Sequence, residues 1–164
     1  MPRKYRRYFL KAKEAKSILS EASEKLKVDF NQIFKSKADM ELVETDFAEI
    51  FLINDKPLLV RIEEKIVPTL VFNEIFALMP KVVVDMGAVP HICNGANVMA
   101  PGIVQFEGEF KKGDFLFVVD EKHGKTVAIG EAVYNLDVAK KATQGNVVKN
   151  IHFVGDKIWN FIKK

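Results

Sequence analysis

Cysteine, tryptophan and histidine are all scarce in this sequence: one Cys, one Trp and three His among 164 residues. A single thiol, Cys93, cannot close an internal disulfide and lies in no metal-spaced cluster, which suits a reducing compartment. The cytoplasm is therefore the expected location. Three scattered histidines without C-x-x-C or H-x-x-x-H spacing do not make a recurring zinc site, so no metal and no cofactor is expected. Glycine-rich phosphate loops are missing as well, since neither G-x-x-x-x-G-K-[ST] nor G-x-G-x-x-G occurs, and nucleotide binding of the familiar kinds is not indicated. No hydrophobic run reads as a membrane span. The one long uncharged stretch, Met86 to Phe106, is broken by Pro90, Pro101, three glycines and polar amides, a composition of turns and short elements. The basic N-terminus lacks the apolar stretch and small-residue cleavage site of a secretory signal.

What is present is enough to bury a core. Apolar residues make up 48% and charged residues 29% of the chain, with only 9 Gly and 6 Pro, which excludes disorder and collagen-like sequence. No block recurs at a fixed period. The net charge is +3, but it is unevenly placed. Residues 1–16 carry seven basic side chains against Glu14 alone, residues 17–80 are net acidic, and residues 81–164 are mildly basic. A basic head suits contact with phosphate and equally suits a solvated leading segment.

Ile18, Leu19, Ala22 and Leu26 fall at helical spacing between Leu10 and Leu26 and predict an amphipathic helix. Asp29 followed by Gln32 resembles a capping box for a second, shorter helix. Met40 to Val43, Phe47 to Ile53 and Leu58 to Ile62 predict an antiparallel meander turned at Asn54-Asp55-Lys56. Pro68 fits the first turn of a further helix that Pro80 stops. A boundary is placed there, giving domains 1–79 and 80–164. In the second half, short strands are expected at Lys81 to Val84, Val98 to Ala100, Val104 to Phe110, Phe115 to Val119, Thr126 to Ala132, Val147 to Phe153 and Ile158 to Ile162. Phe115 to Val119 shows no polar alternation and should be covered on both faces. One helix, Asp137 to Thr143, should end at Gly145. The fold class is α+β: a small N-terminal α/β domain with an antiparallel meander, then a partly closed barrel of short strands with two short helices.

Catalysis finds little support. His91 and Cys93 are two residues apart, on different faces of a helix or loop, and His123 and His152 form no spaced set with them. The N-terminal residues offer no paired carboxylates and no activated nucleophile, so the chain is expected not to be an enzyme.

Several blocks carry a resemblance: Asp85-x-Gly87-Ala88, then Asn94-Gly95-Ala96-Asn97-Val98-Met99-Ala100-Pro101-Gly102-Ile103, Phe110-Lys111-Lys112-Gly113-Asp114, Ala128-Ile129-Gly130-Glu131-Ala132, and Gly155-Asp156-Lys157-Ile158-Trp159. In this order, over about residues 80 to 162, they resemble the PUA domain, named for pseudouridine synthases and archaeosine transglycosylases. Upstream, Val67-Pro68-Thr69-Leu70 with the preceding meander and helix is similar to the two-domain family of the malignant T-cell amplified sequence protein and its archaeal relatives.

The resemblance implies an RNA-binding pseudo-barrel whose contact face is built by the helix after the first strand and by the next strand. On this sequence that face comprises Gly87 and Ala88, the loop Asn94, Gly95, Ala96 and Asn97, and Met99, Pro101 and Gly102. Small residues there would let riboses and phosphates approach backbone N–H groups, and structured RNA would be recognised by shape and 2′-hydroxyls. Lys149, His152 and Lys157 are candidate phosphate contacts beside the last strand. The basic head Arg3, Lys4, Arg6 and Arg7, with Tyr5 and Tyr8, adds charge and stacking surface if it touches RNA. Trp159 is expected to close the barrel. The implied partner is a structured tRNA or rRNA near the ribosome, with no membrane involved. Two other roles stay open: an adaptor whose first domain docks an initiation-factor-like protein, and an accessory subunit of an RNA-modifying enzyme.

Overall fold

A computed structural model describes residues 5–34 and 39–163. The chain divides into two compact units, Met1–Ile75 and Phe76–Lys164. Among the described residues no helix is long and apolar enough to cross a membrane.

In the first unit the amphipathic stripe produces helix α1 (Ala12–Leu26), which buries Ala15, Ala22 and Leu26. Lys27 in the left-handed region ends it, with the Val28 amide donating to Ser23 O at 3.2 Å. Asp29 caps only a short 3-10 turn, Phe30–Gln32, by accepting the Asn31 amide. Five strands form an antiparallel sheet in chain order: β1 (Arg6–Phe9), β2 (Met40–Glu44), β3 (Glu49–Ile53), β4 (Lys56–Ile62) and β5 (Lys65–Pro68). The expected meander is therefore present and is longer than expected by β1 and β5.

Pro68 corrects one expectation: it closes β5 opposite Leu59 and does not open a helix. An edge strand tolerates a residue without N–H. The buried Thr69 hydroxyl then donates to Pro57 O at 2.7 Å, fixing the turn. The helix expected after Pro68 is reduced to a 3-10 segment, Asn73–Leu78.

The second unit is a six-stranded sheet in the order β7-β11-β10-β9-β6-β8: β6 (Lys81–Val84), β7 (Val98–Met99), β8 (Ile103–Glu107), β9 (Phe115–Asp120), β10 (Thr126–Ala132) and β11 (Asn146–Phe153). Its helices are short: α2 (Val89–Ile92), α3 (Leu136–Lys141) and α4 (Lys157–Ile162). Every residue of β9 is buried. Leu116 and Val118 enter the core with Val82, Val84, Val98, Ala128 and Val148, while Phe117 on the other face packs on Phe76 with centroids 5.4 Å apart. That two-sided cover is why the strand lacks polar alternation.

The C-terminal segment overturns another expectation. Ile158 to Ile162 is rich in strand formers yet forms α4, because Asp156 accepts the Trp159 amide at 2.8 Å and starts a helix. Trp159 is half-buried on that helix, with Lys163 Nζ 5.3 Å from its ring centroid. Gly145, in the left-handed region, does not end α3; Ala142 caps it, and Gly145 O accepts the Ala100 amide instead.

Candidate nucleic-acid interface

β6 ends in the turn Asp85–Ala88. Asp85 Oδ1 accepts the Ala88 amide at 2.8 Å, and the Asp85 amide donates to Gly102 O at 2.9 Å. These bonds lay the Pro101–Gly102 segment against the turn. A Cβ on Gly102 would come within 3.1 Å of the Ala88 Cβ, so both positions need small residues for the two backbones to meet. Gly87 is exposed, and its amide has no partner among the described residues.

After α2 the chain turns through Asn94, Gly95 and Ala96, all exposed. Gly95 takes φ +98° beside Phe153, whose Cε1 and Cζ lie 3.6 Å from a Cβ built there. The amides of Asn94 and Ala96 donate to His91 O and that of Gly95 to Ile92 O. The expectation that this loop offers free main-chain donors is thus corrected: its donors close back on α2, and the loop presents a small-residue contour.

Asn150 on β11, which the sequence did not single out, holds that contour in place. Its Nδ2 donates to Ile92 O at 3.0 Å and Ala96 O at 2.9 Å. Its own amide donates to Asn97 Oδ1 at 2.9 Å, so Asn97 is occupied in fixing the loop. The available signal was a polar residue inside the run Val147 to Phe153, which alternation alone does not distinguish from a solvent-facing one.

Met99 and Pro101 are exposed beside the turn, Met99 by 49%. Lys149 and Lys157 are exposed and form no ion pair among the described residues. His152 is a correction: it is 0% exposed and cannot touch a phosphate. Its Nδ1 lies 2.7 Å from Asp156 Oδ2, which also accepts the Phe153 amide at 2.9 Å. Burial alone would raise the Asp156 carboxyl, but the His152 hydrogen bond and charge, with the Trp159 and Phe153 amides, hold it below the usual carboxylate range. An ionised Asp156 is acceptor-only, so His152 Nδ1 carries the proton between them.

The basic head belongs to the first unit. Arg3 and Lys4 lie outside the described residues. Arg6 and Arg7 stand on β1, an edge strand and not a loose arm. Arg7 is bound by Glu41 at 2.5 and 3.1 Å and by Asp55 at 3.2 Å. That hydrogen bond holds the Glu41 carboxyl below its ordinary value. Arg6, 77% exposed in its side chain, is 3.9 Å from Glu44, whose carboxylate also accepts the Tyr8 hydroxyl. Cys93 is half-buried and burial pushes its thiol up, so it is a poor nucleophile.

Comparison with known proteins follows the same division. The PUA domain family matches residues 80–154, and a domain of unknown function, DUF1947, matches residues 6–73. An uncharacterized protein of Methanocaldococcus jannaschii is 41% identical over 162 residues, covering 95% of this chain and 96% of that one. Translation machinery-associated protein 20 of Eremothecium gossypii is 27% identical over 154 residues, covering 89% and 85%. The crystal structure of a PUA domain protein from Aeropyrum pernix, a tartrate complex, superposes with a TM-score of 0.87 at 28% identity, covering 98% of this chain and 92% of that one.

Proposed function

The chain belongs to the two-domain family that joins DUF1947 to a PUA domain, homologous to translation machinery-associated protein 20 and archaeal PUA proteins, and from that premise we propose that it binds structured RNA in translation-related work without converting it. The observation that carries this reading is the contour around Asp85–Ala88. Two backbones meet there through Ala88 and Gly102, the Gly87 amide is open, and an exposed small-residue loop stands on Asn150. Such a surface admits a ribose-phosphate backbone where larger side chains would hold it off.

Gly87, Ala88, Asn94, Gly95, Ala96, Met99, Pro101 and Gly102 supply the contour, with Asn97 fixing it from below. Lys149 and Lys157 supply charge. Arg6 adds a further cation on the first unit, whereas Arg7 would have to leave Glu41 and Asp55 before it could meet a phosphate. The RNA is a tRNA or rRNA, and the work is initiation, recycling or another ribosome-related step in the cytoplasm.

Unfractionated tRNA titrated into the full chain at several KCl concentrations tests the reading. Phosphate contact gives an affinity that falls steeply with salt. Ala96→Glu places a bulky anion on the exposed contour, so it should abolish binding while the thermal midpoint stays at the parent value. Retained binding in Ala96→Glu would remove the contour from the interface.

A further inference from the structure

We infer that the hairpin tip joining β9 to β10, residues Glu121 to Lys125, is a second phosphate-gripping element for the same RNA; this rests on the RNA reading above. Its position comes from the sheet. β6 and β9 run parallel with Val84 opposite Asp120, so the segments leaving both strands emerge at one end of the barrel. The Glu121 amide donates to Val84 O at 2.9 Å, tying the tip to the start of the Asp85–Ala88 turn. On the far side of β10, the Val154 amide donates to Val127 O at 2.9 Å, and the chain runs on through Gly155 to Lys157. The tip therefore stands between the small-residue turn and Lys157.

The tip is also held in shape. Asp120 is 4% exposed, and its carboxylate accepts the amides of His123 and Lys125. The Gly124 amide donates to Asp120 O at 3.1 Å, and the Asp120 amide to Lys125 O at 3.0 Å. A buried anion is committed to ordering five exposed residues that have no core of their own. A backbone held in this way adds no loop-ordering cost when a ligand arrives.

Charge and surroundings select the ligand. Lys122 and Lys125 are exposed and make no ion pair among the described residues, and Glu121 is the one exposed acid on the tip. A polyanion with regularly spaced charges can reach the tip and the neighbouring contour together, whereas an acidic protein side chain would meet the lysines alone. RNA is the occupant that uses both features.

The same tRNA titration, run on Lys122→Ala/Lys125→Ala in the full chain, decides the point. Two lost phosphate contacts should lower the salt slope by about two and weaken binding about tenfold at low salt. The thermal midpoint should not move, since both side chains are exposed. If the parent binds tRNA with steep salt dependence and the double variant matches it, the tip is no RNA contact; the proposed function then survives. If the parent itself fails to bind tRNA, both proposals fall.

Discussion

His152 shows how register shifts reassign a side chain. Strict alternation along Val147 to Phe153 allows the histidine to face solvent, but the pairing of β11 with β7 slips between Asn146 and Val148, leaving Val147 and Val148 both buried. Counted from Val148, Lys149 turns outward and Asn150 inward; a further shift, against β10 between Ile129 and Gly130, skips Ile151 and sets His152 opposite the buried Ile129. Buried beside Asp156, the imidazole becomes part of the support for α4. Asp156→Ala removes that helix's cap and leaves a buried imidazole N–H unsatisfied, and should cost about 2–3 kcal/mol in denaturant melts. The depressed Asp156 carboxyl also sets a pH limit. Its stabilisation is complete above the ordinary carboxylate value and is lost as pH falls through the lower folded value. The thermal midpoint should accordingly drop on acidification, and Asp156→Asn should blunt that drop. Some acid sensitivity will remain, because Asp120 and Glu41 are held below their ordinary values as well.

At the level of elements, the strands were the most legible part. Thr126 to Ala132 and Lys81 to Val84 match β10 and β6 residue for residue, because β-branched runs bounded by glycines and turns leave few alternatives. The segments that misled were those where a single local bond outranks propensity: the Asp156 cap makes α4 from strand formers, and the Leu59 pairing makes Pro68 the end of a strand. The PUA blocks located the contour residues, but the Asn150 clamp was hidden because its partners lie more than fifty residues away, and the Asp120-ordered tip because the burial of Asp120 is set by the assembled sheet. Gly130 is the block residue whose requirement the structure explains most directly. A Cβ there would collide with Val148 Cγ1 and lie 2.8 Å from Lys149 O, at the shift where β10 meets β11. Gly130→Ala forces backbone apart and should destabilise the fold by about 1–3 kcal/mol, with weaker tRNA binding because Asn150 sits on the displaced strand. A stable variant would show that β11 can move aside.

For the molecule as a whole, the modest net charge of +3 conceals a division of labour. In the first unit the arginines of β1 and β4 are matched by carboxylates: Arg7 by Glu41 and Asp55, Arg61 by Glu21 and Glu49. In the second unit Lys122, Lys125, Lys149 and Lys157 form no ion pair among the described residues. The sequence showed the basic head and could not show this neutralisation, because β1 meets its acids only after pairing with a strand more than thirty residues away.

The parallel alignment of β6 with β9 also bears on how the polypeptide reaches its native state. From β2 to β5 each strand finds its partner in the hairpin next door, while Lys81–Val84 meets β8 only across α2 and β7, and its parallel partner β9 only when residues beyond Phe115 arrive. Closing so long an excursion is entropically slow compared with zipping adjacent hairpins. Pulse-labelled amide exchange during refolding should find β3 and β4 protected before β6 and β9, and the fluorescence of the sole tryptophan, Trp159, should follow the later phase. Nascent protein would then pass through a stage in which its N-terminal sheet is formed while the C-terminal barrel is still open.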